Sequence, residues 1–489
     1  MPRSVLTLAT RLVLAACVAC SSGQGKLGRQ PSWRGTDKGQ SAQAFAPIVF
    51  APERPGVASY NTLGAVKVEP SEIADGVVVA TIEAANRLRK PIPQLEPRLS
   101  AAAAELARVA PADSQLAYPL VEFALQRYGI IEPSPHIIVI WSEDGGSARD
   151  IVDSLSERLP EILDTQTVSH TRFGVGQASR KGGEKCIVVA FQASYIDTKP
   201  ISRSLPVGGT VEISGTVRSP YTDPQVFVTR ADGRVSRPTV RSREGGRFTT
   251  LMECGGSRGR QQVEITAIDS SGSTVLANFP IWCGDAPPTR IVYEASIDDT
   301  SPVKSEEEAV KRMLDLVNRD RSGHGLPPLK LDERLSSVAR AHSAEMHETG
   351  RVAHVSPATG SAADRVEKAG IRTSVVLENV ARAYGVAQAE AGLMNSPGHR
   401  ANILSREATH LGLGIVFGDQ APGRNELFIT QVFARLPVNV SAARARELVA
   451  QSVRKARSKL AVDPALSGIA AQFAKRIAGG ESTAAAGRW

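Results

Sequence analysis

Histidine is the residue type through which this chain could do chemistry, and most of its histidines fall in the last third. Ser396-Pro397-Gly398-His399-Arg400 reads as a helix start, with Ser396 as N-cap and Pro397 at the first helical position, where a missing N–H costs nothing. His399 is then the third helical residue, inside the positive end of the helix dipole. That field disfavours imidazolium, so His399 is expected to stay neutral and able to ligate a metal or accept a proton. His342 and His347 are a different case. Five residues apart on a helix they point about 140° apart, and with Glu345 between them they do not make the His-Glu-x-x-His zinc motif. His342 falls on the apolar stripe of Leu335, Val338, Ala339 and Met346 and reads as a hydrogen-bonded core histidine. His324, in a glycine-rich loop, and His410, beside a strand, read as surface residues. No serine or cysteine is placed by sequence for covalent catalysis.

The elements that must hold these side chains are legible. Ser305 and Glu308 form a capping box that starts a helix running to about Asp320, with Val310, Met313, Leu314 and Val317 as its apolar stripe. Asp332 caps a second helix. Ser361 and Asp364 cap a third, which ends at Gly370. Leu411-Gly412-Leu413-Gly414 and Leu427 to Phe433 read as strands.

Together these runs carry a resemblance. Leu316-Val317-Asn318-Arg319, Gly325-Leu326-Pro327-Pro328-Leu329, the Ala339 to Met346 helix, His354, Glu378-Asn379-Val380-Ala381, Ser396 to Leu404, the Gly412-x-Gly414 strand and Thr430-Gln431-Val432-Phe433 keep one order and spacing. Residues 305–436, roughly a quarter of the chain, resemble the bacterial SCP-type form of the CAP superfamily (cysteine-rich secretory proteins, antigen five and pathogenesis-related proteins). The resemblance implies an α-β-α sandwich with a cleft of two histidines and two glutamates able to hold a divalent cation. By motif His354, Glu378 and His399 match three of the four. The second glutamate has no match, and Glu390 is the only nearby carboxylate. Leu393 stands where many relatives have Trp, and Leu377 replaces the Gly before the Glu-Asn pair. Asn379, Glu390, Arg400, Asn402 and Gln431 are expected to line the cleft. Two imidazoles and a carboxylate are a zinc-type set with an open position, so zinc is the expected metal, with no other cofactor.

The rest of the chain sets this segment in context. Its 489 residues suggest several domains, and 42% hydrophobic with 22% charged residues is ordinary for globular protein. Residues 1–20 read as an export signal, with Leu14-Ala15-Ala16-Cys17 resembling a lipobox. Cys17 is the expected lipidation site, Cys20 a second candidate, and an ordinary secretory signal the alternative. Residues 21–69 are expected to be a flexible tether. Residues 70–200 are expected to be a diverged CAP-like α+β domain, because helices followed by Phe173-Gly174-Val175-Gly176 and the strand Cys186 to Phe191 repeat the later order. Short strands over 201–288 point to an immunoglobulin-like β-sandwich, followed by a linker at 289–304. Cys254 and Cys283 lie within it and are expected to pair, leaving Cys186 as a buried thiol. The tail 437–489 is helical and carries nine Lys or Arg against three Asp or Glu, most of the net charge of +8. Its 462–470 stretch echoes 331–339, as a truncated third repeat or as two similar alanine-rich helices.

The fold class expected is therefore α+β: a C-terminal α-β-α sandwich preceded by a β-sandwich and a degenerate copy. The function expected is that of an exported protein, lipid-anchored to the cell envelope. It would bind a lipid, glycan or protein rather than transform it, with no nucleic-acid partner. Metal-assisted peptide or ester hydrolysis, with Glu390 as base, is the alternative, and a purely structural envelope protein with a vestigial cleft is a third.

Overall fold

The structure, a computed structural model, describes residues 11–16, 47–62, 66, 71–111, 116–142, 147–157, 159–160, 163, 171–179, 183–242, 244–294, 303–418, 426–437, 441–458 and 460–482. Cys17 and Cys20 lie outside the described residues.

The first domain is one sheet between two pairs of helices. Its strands are Arg11–Ala16 (β1), Gln94–Leu95 (β2), His136–Ser142 (β3), Thr171–Ser179 (β4) and Lys185–Ala193 (β5), in the order β1-β3-β5-β4-β2. β1, from within the expected export signal, pairs antiparallel with β3. Helices Glu72–Leu88 (α1) and Ala148–Ser156 (α4) cover one face, where Ile73, Val77, Ile151 and Leu155 pack on Ile138, Ile140 and Val189. Helices Pro97–Val109 (α2) and Tyr118–Arg127 (α3) cover the other, with Leu99, Ala103, Leu106 and Leu120 on Ile137, Val139 and Val188. Buried on both faces, β3 and β5 are continuous apolar runs rather than alternating ones.

Part of the expected tether is folded. Ile48–Phe50 pairs with Ile291–Tyr293 of the expected linker, and Phe50 enters the first core. Ser59–Tyr60 pairs with Ile201–Ser202, and the fully buried Tyr60 donates its hydroxyl to the Pro280 carbonyl at 2.7 Å. Two aromatic anchors separated by a Pro- and Gly-bearing loop have no periodicity, so nothing in the pattern marks them as structure.

The second domain is a two-sheet β-sandwich. Thr210–Val217 (β6) and Arg247–Glu253 (β8) centre a four-stranded sheet. Thr222–Thr229 (β7), Gly259–Asp269 (β9) and Gly272–Cys283 (β10) centre a five-stranded one. Ile213 and Phe248 from one sheet meet Val226, Val263, Ile265 and Phe279 from the other. The disulfide Cys254–Cys283 closes beside them with Cα atoms 5.5 Å apart, and Cys186 is a buried cysteine of β5 outside that disulfide.

The third domain carries helices Glu306–Gly323 (α5), Glu333–Thr349 (α6), Ala362–Lys368 (α7), Val386–Asn395 (α8) and Pro397–Ile403 (α9). Its strands Lys330–Leu331 (β11), Val376–Ala383 (β12), His410–Phe417 (β13) and Leu427–Ala434 (β14) run in the order β11-β13-β14-β12. Leu411, Leu413, Ile415, Ile429 and Phe433 face α5 and α8. Gly412 and Gly414 lie under α6, where an added Cβ would overlap the backbone of Leu335 and of Ala339–Arg340.

This last domain repeats the first in detail. β11 is parallel to β13, which is antiparallel to β14, which is antiparallel to β12. β2, β4, β5 and β3 follow the same sequence of orientations. Gly174 and Gly176 press against the α2 backbone at Leu99–Ser100 and Ala103–Ala104, as Gly412 and Gly414 press against α6. Between each glycine pair the middle residue's N–H donates to a helix serine: Val175 to Ser100 Oγ at 3.1 Å, Leu413 to Ser336 Oγ at 3.2 Å.

The last unit, residues 436–489, contains helices Ala442–Ala456 (α10) and Pro464–Ala478 (α11), capped by Ser441 and Asp463.

Candidate functional site

The candidate site forms at the outer edge of the third domain's sheet, on strand β12. Alternation sends Glu378 to the α6 and α7 side, with Val380, and sends Asn379 to the α5 and α8 side, opposite Gln431. Glu378 Oε1 accepts from His354 Nδ1 at 3.0 Å, and Arg365 of α7 donates to Oε2. His354 sits in the loop after α6. That loop is tied by Glu345, which accepts from Thr359 Oγ1 at 3.2 Å and from the Ser356 hydroxyl. His399 comes from α9, and its ring stacks near that of His354 with centroids 6.3 Å apart. So the structure brings together His354, Glu378 and His399, from three separate elements.

Each group's state has a physical cause. Burial pushes the Glu378 carboxyl up, but the hydrogen bond and charge of His354, with the charge of Arg365, outweigh it and hold it below the usual carboxylate range. His399 is driven down to about 3, first by burial and then by the neighbouring His354. It is neutral, as its place at the helix start suggests. The larger cause, however, is loss of water rather than the field of a seven-residue helix. Ser396 caps that helix and its Oγ lies 2.6 Å from His399 Nδ1.

The other residues expected along the cleft divide from these three. Asn379 Nδ2 donates to Gln431 Oε1 at 2.9 Å and to the His399 carbonyl at 3.2 Å. Asn402 Nδ2 donates to Asn379 Oδ1 at 2.9 Å, and Gln431 Nε2 to Glu390 Oε2 at 3.0 Å. Asn379, Gln431 and Glu390 are at most 1% exposed. Adjacent strand residues point to opposite faces, so Asn379, Gln431 and Glu390 form a polar network behind the sheet, joined to the site through Asn402, whose Nδ2 also donates to the Glu378 carbonyl at 3.0 Å. Glu390 is pushed up to about 8 by burial and then by the charge of Asp320. Arg400 turns away to His324, whose Nε2 lies 2.6 Å from Nη2. His342 is buried and donates from Nε2 to the Ala353 carbonyl at 2.8 Å, the role its stripe position indicates.

Register shows that the first domain's described residues carry apolar side chains at the equivalent positions. Gly174 and Gly176 face Ala190 and Val188, as Gly412 and Gly414 face Val432 and Thr430. Ala190 pairs with Ile137, and Val432 with Glu378. Glu378 therefore corresponds to Ile137, Asn379 to Ile138, Gln431 to Val189 and, counting along the helices from Leu99 and Leu335, His342 to Leu106.

Two features of the site have no sequence signal. One is Arg365, one helical residue among several. The other is the β-sandwich, which lies against both histidine segments. The backbone N–H groups of His354 and Val355 each donate to the Ser271 carbonyl at 3.0 Å. Glu264 of β9 accepts from the Gly398 N–H at 2.9 Å and bonds the Ser396 hydroxyl. Among the described residues no group of three or more His, Cys, Asp or Glu is arranged to hold a metal ion. His354, Glu378 and His399 are the right types for zinc, but Arg365 stands at the second oxygen of Glu378.

Residues 314–433 match the family model of the cysteine-rich secretory protein family, CAP. Two curated proteins of Bacillus subtilis are similar over this region. The uncharacterized protein YkwD is 38% identical over 118 residues, covering 24% of this chain and 46% of that one. The uncharacterized membrane protein YlbC is 36% identical over 136 residues, covering 26% and 39%. The chain thus spans less than half the length of these relatives. Among solved structures, an extracellular SCP-domain protein from Bacillus anthracis aligns with 46% of this chain and 78% of its own at 20% identity and a TM-score of 0.25. An outer surface protein from Borrelia burgdorferi aligns with 28% and 98% at 17% identity and a TM-score of 0.25. No helix among the described residues is long and apolar enough to cross a membrane.

Proposed function

We propose that this chain, which carries a CAP domain at residues 314–433, is an exported envelope protein held to the membrane by lipid on Cys17, and that it binds its target without transforming it. The observation that carries the non-catalytic reading is the state of the site's reactive groups. The Glu378 carboxylate is committed to His354 and Arg365. Ser396, whose Oγ bonds the His399 ring, is fully buried and holds a helix cap. Neither is poised to activate water or attack a carbonyl. The Cys254–Cys283 disulfide supports export, since such bonds persist in oxidising compartments. A lipid, glycan or protein of the envelope is the ligand class this setting favours.

Divalent cation binding belongs to this reading in one form. The donor types suit zinc, and binding requires Arg365 to leave Glu378.

The test is a panel of peptide and ester substrates with the full chain, beside zinc titration of wild type and of a His354→Ala, His399→Ala double variant. The reading expects no turnover, and zinc affinity lost in the double variant. Turnover that disappears with the two histidines would replace it with the hydrolase reading.

A further inference from the structure

One buried carboxylate near the site belongs to none of the family's motifs. Glu264 lies on β9 of the β-sandwich, between Val263 and Ile265 of that domain's core. Alternation points it outward, with Gln262 and Thr266, to a face that a lone sandwich would give to water. Here that face is covered, and Glu264 has no exposed surface. A full glutamate is not sunk into a domain boundary without partners. Its partners are both in the first turn of α9: Oε1 accepts the Gly398 N–H at 2.9 Å and Oε2 bonds the Ser396 hydroxyl. That hydroxyl also stands 2.6 Å from His399 Nδ1. A carboxyl, a hydroxyl and an imidazole are therefore linked in sequence, leading from one domain into the site of the other.

The hydroxyl has a single proton, which permits two arrangements. With Glu264 ionised, Ser396 donates to it and accepts from His399, so the neutral ring carries its proton on Nδ1. With a proton on Oε2, Glu264 donates to Ser396, Ser396 donates to Nδ1, and the ring proton sits on Nε2. The proton position on the ring is thus coupled to the far end of the chain of bonds.

We propose that Glu264 of the β-sandwich is a positioning residue of the CAP-domain site, acting through Ser396 to set which nitrogen of His399 carries the proton. The site so defined spans two domains, and an isolated 305–436 segment lacks the group that orients its second histidine. Burial raises the Glu264 carboxyl to about 7, so at pH 8.5 the ionised arrangement prevails.

The inference goes beyond the binding reading and is tested without metal or ligand. The full-length protein, labelled with ¹⁵N in its histidine rings, is examined by long-range ¹H–¹⁵N spectroscopy at pH 8.5 in chelator-treated buffer, with His399 assigned by its loss in His399→Gln. Wild type should show the Nδ1–H pattern. In Glu264→Gln the amide oxygen keeps Gly398 and the amide nitrogen donates to Ser396, so the two ring shifts should exchange to the Nε2–H pattern. In Ser396→Ala the link is cut, and adding Glu264→Gln should change nothing further. Should Glu264→Gln fail to fold, Ser396→Ala alone must still move the ring pattern away from wild type. An unchanged His399 pattern in folded Glu264→Gln, or in Ser396→Ala, overturns the proposal. So does an effect of Glu264→Gln that persists without the Ser396 hydroxyl.

Discussion

Arg365 of α7 and Glu378 of β12 form an ion pair with side chains only 6% and 4% exposed. The guanidinium also donates to the Gly360 carbonyl at 2.6 Å and so fixes the loop that presents His354. Removing one member of a buried pair leaves the other charge uncompensated, at a cost of about 3–5 kcal/mol. Arg365→Gln should lose stability on that scale in urea denaturation. A loss below about 0.5 kcal/mol, typical of exposed pairs, would show that the pair is solvated.

The same substitution tests what keeps a cation from Glu378. A divalent ion and a guanidinium compete for one carboxylate, and their like charges cannot share it in a site poor in water. Zinc should bind Arg365→Gln at least about tenfold more tightly than wild type, a difference of about 1.4 kcal/mol. Adding His354→Ala should abolish the gain. Equal zinc affinity in wild type and Arg365→Gln, by calorimetry, would mean that Arg365 is no barrier.

Glu390 should give stability a pH dependence. Its carboxyl titrates near 4.5 when unfolded and about 8 in the folded chain, because burial and then Asp320 disfavour the charge. The folded state therefore holds a proton that the unfolded state has released. Stability falls as pH rises from about 4.5 through about 8 and is flat in this group above that, with a limiting slope of about 1.4 kcal/mol per pH unit. Glu264, raised to about 7, adds a slope of the same sign over the lower part of the range. Glu390→Gln should gain on wild type as pH rises from 5 to about 8 and then level off. Parallel melting curves across that range would contradict the assignment.

The sequence was most readable where function and fold are written locally. Ser305, Asp332, Ser361 and Ser396 are helix caps in the structure, and His342 is a core histidine. The resemblance read over 305–436 from short motifs in order agrees with the family-model match at 314–433. What could not be read was set by contact over long separations. Phe50 and Tyr60 look like isolated aromatics in a tether until Ile291–Tyr293 and Ile201–Ser202 pair beside them. Glu264 alternates as an outward residue until another domain covers it. Asn379 follows Glu378 in the motif, yet the pleat sends the two to opposite faces of the sheet.

The paired glycines allow the repeat itself to be tested. Gly176 of the first domain and Gly414 of the third lie against the helix backbone at Ala103–Ala104 and Ala339–Arg340, where a methyl group has no room. The colliding atoms are backbone and cannot swing aside as a flexible side chain would. Gly176→Ala and Gly414→Ala should each cost at least the roughly 1–3 kcal/mol usual for overpacking. The serine contacts are smaller and equal in kind: Ser100→Ala and Ser336→Ala each remove one acceptor from a strand N–H, for about 1 kcal/mol. Hydrogen exchange gives the sharper readout. The Val175 amide should lose protection in Ser100→Ala but not in Ser336→Ala, and the Leu413 amide should do the reverse. If either serine variant left its own amide as protected as in wild type, the two contacts would not be equivalent parts of a repeated fold.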